Sequence, residues 1–318
     1  MTQEISTQEI SLLRDRVLTA LNAITKVVVG KDSHVRRALA VLLSGGHLLL
    51  EDLPGVGKTT LARALSTVLG GRFQRIQGTN DLLPSDLLGA QLWEASTQSF
   101  RFQQGPIFAN VILLDELNRI GPKTQSALLE VMVEGQVTMD NSTHALPDPF
   151  FVIATQNPTD HVGTFPLPES QIDRFAAVLH LGYPSPAAER QILRGEAGLT
   201  VLDSLNVAMP LTDWVSAKKL ASQVAVSDAV LEYLERVVAQ IRTDGGFCST
   251  RAVGQWLALA KTEAWIQGQR FVTPDHLQAT LSDTMAHRGR MDDRKLNRED
   301  RRSIMEKIIK EVAVGWKP

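Results

Sequence analysis

The sequence predicts an α/β fold in two parts. A doubly wound domain with a parallel sheet spans residues 1–184, and a smaller all-helical domain spans residues 185–318. Three observations lead there. A short apolar run, His47-Leu48-Leu49-Leu50-Glu51, is followed by a glycine-containing loop and then by Leu61, Ala64, Leu65 and Val68 at helical spacing. Residues 111–114 and 150–154 are unbroken apolar runs, as expected of strands buried on both faces. Past Tyr183-Pro184-Ser185-Pro186 the pattern changes to consecutive helices.

Taken in order, Ile5, Ile10, Leu12, Leu13, Val17, Leu18, Leu21 and Ile24 recur at near-helical spacing and predict a leading helix over residues 5–26. Val27-Val28-Val29-Gly30 stops it, and Asp32-Ser33 are expected to cap a second helix running to Leu43. The strand at 47–51, the loop and the loop helix follow. Residues 73–79 read as a strand and 80–86 as a turn-rich connector. Residues 91–104 read as a hairpin, with Leu92, Trp93, Phe100 and Phe102 flanking Ser96-Thr97-Gln98-Ser99. After the strand at 111–114 come an amphipathic helix over 123–134 and a second hairpin over 135–146, turning at Asp140-Asn141. Residues 150–154 and 176–181 supply two more strands. The helical part is read as residues 187–197, 212–223, 228–242, 250–267 and 273–286. Residues 288–318 are charge-rich, with Ile304, Ile308, Ile309, Val312 and Trp316 spaced for a terminal helix, docked on its own domain or offered to a partner.

The loop Asp52-Leu53-Pro54-Gly55-Val56-Gly57-Lys58-Thr59-Thr60 joins a strand to a helix. Backbone N–H groups there converge on one spot, and the helix dipole favours an anion. Lys58 adds a mobile cation for outer phosphates, and the Thr59 hydroxyl is placed to bind Mg²⁺. The loop pattern expects glycine where this chain has Asp52, and an acid there repels phosphate unless it turns away. Asp115-Glu116 end the run at 111–114. An Asp at the mouth of such a strand can hold Mg²⁺ through its water shell, and the neighbouring Glu can polarise an attacking water. Asn157 ends the strand at 150–154, where its amide can reach a terminal phosphate or that water. Asn157-Pro158-Thr159-Asp160 lacks the lysine of a guanine-reading Asn-Lys-x-Asp, which argues against GTP.

Composition bounds the rest. The 318-residue chain carries a net charge of −2 and a pI near 6.4. This balance, with no basic arm, counts against general nucleic-acid binding and against a DNA-acting motor. The single cysteine, Cys248, excludes an internal disulfide framework and fits a reducing, cytoplasmic setting. No apolar run reaches membrane-spanning length, since residues 38–50 are broken by Ser44-Gly45-Gly46 and His47. Residues 1–16, with Glu4, Glu9 and Asp15, do not read as a secretory signal. His34, His47, His144, His161, His180, His276 and His287 are scattered without metal-ligand spacing.

Several long stretches together resemble the MoxR family of AAA+ ATPases, in the helix-2-insert branch. They are residues 50–59, Leu114-Asp115-Glu116-Leu117-Asn118-Arg119, residues 122–130, Val152-Ile153-Ala154-Thr155-Gln156-Asn157-Pro158 and residues 163–169. The resemblance runs from about Val27 to Arg288. It implies a P-loop AAA+ domain with an all-helical lid, ATP and Mg²⁺ as ligands, and ATP hydrolysis in a ring of usually six subunits. It implies that Val28, Val29 and Gly30 approach the adenine and that Pro54, Gly55, Val56, Gly57, Lys58, Thr59 and Thr60 hold the phosphates. Thr59 and Asp115 become the Mg²⁺ side, Glu116 the water-activating base and Asn157 the sensor of the terminal phosphate. Arg174, in Gln171-Ile172-Asp173-Arg174-Phe175, matches the arginine finger that reaches an adjacent subunit's nucleotide. Arg251, in Ser249-Thr250-Arg251-Ala252, matches the lid-borne second sensor, although Thr250 stands where the family commonly has proline. Members often act with proteins carrying a von Willebrand A domain and assist maturation of client complexes. The hairpins at 91–104 and 135–146 are then expected to face the ring axis, or simply to extend the fold. A scaffold that binds ATP without turning it over would not need both Glu116 and Arg174.

Overall fold

A computed structural model describes residues 7–139, 142–157, 163–288 and 298–312. Ile5, the Asp140-Asn141 turn, Pro158-Thr159-Asp160, His161 and Trp316 lie outside the described residues. Two helices lead, α1 (Thr7–Val27) and α2 (Asp32–Leu43), followed by strand β1 (Leu48–Glu51) and the loop helix α3 (Lys58–Leu69). Then come β2 (Phe73–Gln77), α4 (Pro84–Leu88), the hairpin β3 (Gly89–Glu94) and β4 (Ser99–Gln104), β5 (Val111–Asp115) and α5 (Pro122–Glu134). A second hairpin, β6 (Gln136–Met139) and β7 (Ser142–Ala145), precedes β8 (Phe151–Gln156), α6 (Glu169–Ile172) and β9 (Ala177–Leu179). The rest is helical: α7 (Pro186–Leu193), α8 (Leu199–Leu202), α9 (Leu211–Ser222), α10 (Asp228–Thr243), α11 (Thr250–Ile266), α12 (Pro274–Met285) and α13 (Arg298–Glu311).

The central sheet has the order β2-β5-β8-β1-β9, with every pairing parallel. Its apolar runs are sorted by the two-residue period of a strand. Leu48, Leu50, Val111, Leu113, Phe151 and Ile153 join one core with α1, α2 and α3. Leu49, Ile112, Leu114, Val152 and Ala154 join the other, against Leu128, Leu129 and Met132 of α5. Helices thus cover both faces, which is why these strands lack polar alternation. His47 precedes β1 and is buried. It accepts from the Val152 N–H (3.1 Å) at Nδ1 and reaches the Met132 carbonyl (2.9 Å) at Nε2. Burial pulls its pKa down to about 4, so it serves as a neutral bridge between strand and helix.

The first core continues into the helical part, where Trp214 of α9 and Trp256 of α11 are fully buried. The leading helices are tied to that part by charge as well. Arg37 of α2 reaches Glu263 of α11 (2.6 Å) and Asp283 of α12 (2.8 Å), and Arg36 pairs with Glu263 at 2.9 Å. Two local expectations need correction. Lys31, not Asp32 or Ser33, is the N-cap of α2 and makes no side-chain cap bond. Asp32 lies inside the first turn, where its carboxylate suits the positive helix end. The connector at 80–86 runs into α4, whose Pro84 sits in the first turn. The hairpins do form, and they touch: Phe102 stacks on His144 with ring centroids 4.1 Å apart. Trp93 and Phe100, 58% and 67% exposed, meet edge to face on the first hairpin at 5.2 Å.

Candidate active site

The loop after β1 is shaped by two left-handed glycines, Gly55 (φ +84°) and Gly57 (φ +98°), the second being the N-cap of α3. A Cβ at either would meet nothing within 4 Å, so the backbone angle and not crowding demands glycine there. Val56 turns its side chain into the core beneath and leaves only its backbone to the loop. Lys58 donates to the carbonyls of Asp52 (2.9 Å) and Leu53 (3.2 Å). Partial burial lowers its pKa, against the opposing pull of Asp52, Asp115 and Glu116. Asp52 is buried with its carboxylate turned away from the loop, accepting N–H bonds from Leu181 and Gly182 (3.0 Å to the latter). The acid at a glycine position therefore faces donors and not phosphate.

β8 separates β1 from β5, so the loop and the strand-end acids open into one crevice at the carboxyl ends of adjacent parallel strands. A cavity of about 330 Å³ there is lined by Pro54, Gly55, Gly57, Lys58, Thr59 and Thr60, by Asp115 and Glu116, and by Thr155 and Asn157. Arg75, Gln77 and Leu199 complete it. Asp115, 7% exposed, accepts the Thr155 hydroxyl (3.3 Å) at Oδ1 and pairs with Arg75 Nε (2.7 Å) at Oδ2. Glu116 adopts a left-handed backbone (φ +59°, ψ +52°), rare for a non-glycine residue. Its N–H donates to Thr155 Oγ1 (3.0 Å), so one hydroxyl braces both acids, and its carboxylate rests on Arg119 (2.9 Å). The turn is also fitted around Gly78, whose N–H donates to the Asp115 carbonyl at 2.7 Å. A Cβ at Gly78 would stand 2.4 Å from the Glu116 carbonyl oxygen.

Sequence reasoning passed over Arg75, Thr155 and Gly78. Arg75 in Phe73-Gln74-Arg75-Ile76-Gln77 looks like any polar residue on an edge strand, and its partner is forty residues away. Thr155 did lie inside the motif around Asn157.

Other expected residues fall elsewhere. Val28, Val29 and Gly30 are not among the lining residues, but the Gly198 N–H bonds the Val27 carbonyl (2.9 Å), which brings that segment beside Leu199 at the cavity wall. Arg174 and Arg251 do not line this cavity. They share a different one of about 350 Å³, with Gly45, Gly46, His47, Met132, Gly254 and Gln255 on its walls. Arg174 Nε is buried there with no hydrogen-bond partner among the described residues.

Such a glycine-shaped loop from strand to helix, an acid pair one strand removed and a helical body behind the sheet define a P-loop ATPase of AAA+ build with a helical lid. The comparisons agree. The ATPase family associated with various cellular activities (AAA) matches residues 47–177, and the AAA lid domain matches residues 238–308. Chaperone MoxR1 of Mycobacterium tuberculosis is 37% identical over 85% of this chain and 74% of its own. Protein MoxR of Methylorubrum extorquens is 30% identical over 86% and 88%, and the uncharacterised protein YeaC of Bacillus subtilis 42% over 85% of each. A crystal structure of a Cytophaga hutchinsonii protein with an ATPase assignment superposes with a TM-score of 0.86 at 32% identity, covering 96% of this chain and 97% of that one. The chain belongs to the MoxR family of AAA+ ATPases. No described helix is long and apolar enough to cross a membrane.

Proposed function

We propose that this ATPase hydrolyses ATP at the seams between subunits of a ring, usually of six, and uses the cycle to remodel client protein complexes. The observation that carries the reading is the separation of charges. The phosphate loop and acids line one cavity, while Arg174 and Arg251 line another with the Arg174 Nε unsatisfied. Arg174 is therefore best read as serving a neighbouring copy's nucleotide, supplying charge stabilisation across the interface. Arg251, expected as the lid-borne second sensor, is read with it because the two line one cavity. Lys58 and the N–H groups of residues 55–60 take the phosphates. Val28, Val29 and Gly30 approach the adenine.

The oxygen donors present suit Mg²⁺: Thr59, which carries a hydroxyl, and Asp115, a buried carboxylate, line one cavity, as a metal shared with phosphates requires. When bound, the ion would neutralise charge on the phosphates. Glu116 would accept a proton from the attacking water once its carboxylate leaves Arg119, and Asn157 would hold the terminal phosphate. Residues 1–184 form the nucleotide-binding domain and 185–318 the lid in this reading.

The relative named a chaperone supports the client-directed role. The two touching hairpins, with Trp93 and Phe100 exposed, would present the client-facing surface. A von Willebrand A domain protein is the expected partner, in the cytoplasm. The experiment is ATP turnover per subunit across a protein dilution series, with ring mass followed by sedimentation. Turnover should fall in step with loss of the ring. A monomer that hydrolyses at full rate would refute the shared site.

The fit around Gly78 gives a second test. Gly78→Ala should displace the acid pair and lower turnover by about 10²-fold. ATP affinity, read by fluorescent-nucleotide displacement, should stay near normal because the phosphate loop is untouched.

A further inference from the structure

Arg288 ends the 3-10 turn Ala286–Arg288 after α12 and is only 4% exposed. Its guanidinium grips the segment that carries Arg174. Nε donates to Asp173 Oδ1 (2.9 Å), and Nη2 donates to the carbonyls of Asp173 (3.0 Å) and Phe175 (2.8 Å). The residue enclosed between those carbonyls is Arg174. Nη2 also meets Gln255 Oε1 (2.7 Å), and Gln255 Nε2 donates to the Arg174 carbonyl itself (3.3 Å). Nη1 donates to the Thr284 carbonyl of α12.

The other Asp173 oxygen leads to Arg251. Ser249 Oγ donates to Asp173 Oδ2 (2.8 Å) and accepts the Ala252 N–H (3.0 Å), capping α11, whose first turn holds Arg251. The Arg288 carbonyl accepts the Phe247 N–H (2.9 Å), fixing the approach to that cap. One buried ion pair thus fastens the Arg174 turn, the start of α11 and the end of α12 together. Well-packed apolar residues often stabilise a core as well as a buried ion pair does. What they cannot do is aim a planar fork of donors at several carbonyls at once.

We infer that Arg288, with Asp173, is a positioning residue for the inter-subunit step: it makes Arg174 and Arg251 one rigid unit whose placement follows the helical lid. The inference rests on the reading that Arg174 serves a neighbour's nucleotide. Lid movement in one subunit then resets both arginines presented to the next.

The test uses Arg288→Lys, which keeps a charge for Asp173 but loses the fork. The variant should assemble and bind ATP within about two-fold of the parent, with turnover about 10²-fold lower. Mixed with Lys58→Ala, whose own ATP grip is lost but whose arginines are intact, it should regain activity well above the sum of the two alone. An Arg174→Ala plus Lys58→Ala mixture runs alongside. Recovery there without recovery for Arg288→Lys makes Arg288 merely structural and overturns the inference. No recovery in either refutes the shared seam and the inference with it. Near-parental turnover by Arg288→Lys alone also overturns it. Should Arg288→Lys fail to fold, Gln255→Ala takes its place, with an expected loss of about ten-fold and the same mixing outcomes.

Discussion

Arg174→Ala is expected to bind ATP almost normally and to hydrolyse it about 10³-fold or more slowly, the usual scale for loss of an arginine finger. The side chain touches no wall of the phosphate cavity of its own chain, so ground-state binding has no reason to change. The residue lines a cavity apart from the loop and the acid pair, so in the proposed ring a missing guanidinium would be felt in the transition state of a neighbour. Steady-state phosphate release beside equilibrium ATP binding makes the measurement. Unaltered turnover would remove Arg174 from catalysis, and a matching loss of affinity would place it in its own nucleotide site.

Glu116→Gln should fall in turnover by about 10² to 10⁴-fold, the span attributed to a positioned general base. It should hold ATP unhydrolysed. The amide preserves the volume and the Thr155 bond to the backbone N–H, so the left-handed turn stays in place. Rapid filtration of the variant with labelled ATP should show retained triphosphate where the parent shows diphosphate. The trapped form is also the one expected to hold a client in pull-down, and enrichment of nothing there would count against remodelling.

The residues that meet in the candidate site are legible where chemistry is written locally. Residues 111–116 run four aliphatics into two acids, and that order alone puts carboxylates at a strand end. The loop at 52–60 is equally self-contained. Arg75, Asp173 and Arg288 were not legible, because their meaning lies in partners forty and 115 residues away that only the folded chain brings close. The elements α4, α6 and α8 escaped for a different reason. At five, four and four residues they are too short to display a helical period. Lys31 was overlooked as the start of α2 because it caps without a side-chain bond, the one signal that sequence reading relies on there.

Asp52 and Lys31 together make a mooring. The carboxylate holds the N–H groups of Leu181 and Gly182, while the ammonium grips the carbonyls of Leu181 and Tyr183 (2.7 Å to the latter). The strap that leaves the sheet for the helices is thus knotted to the root of the phosphate loop, through the residue that replaces a glycine. A nucleotide that tightens or slackens that loop would pull on the strap directly, before any rearrangement of the hydrophobic interior.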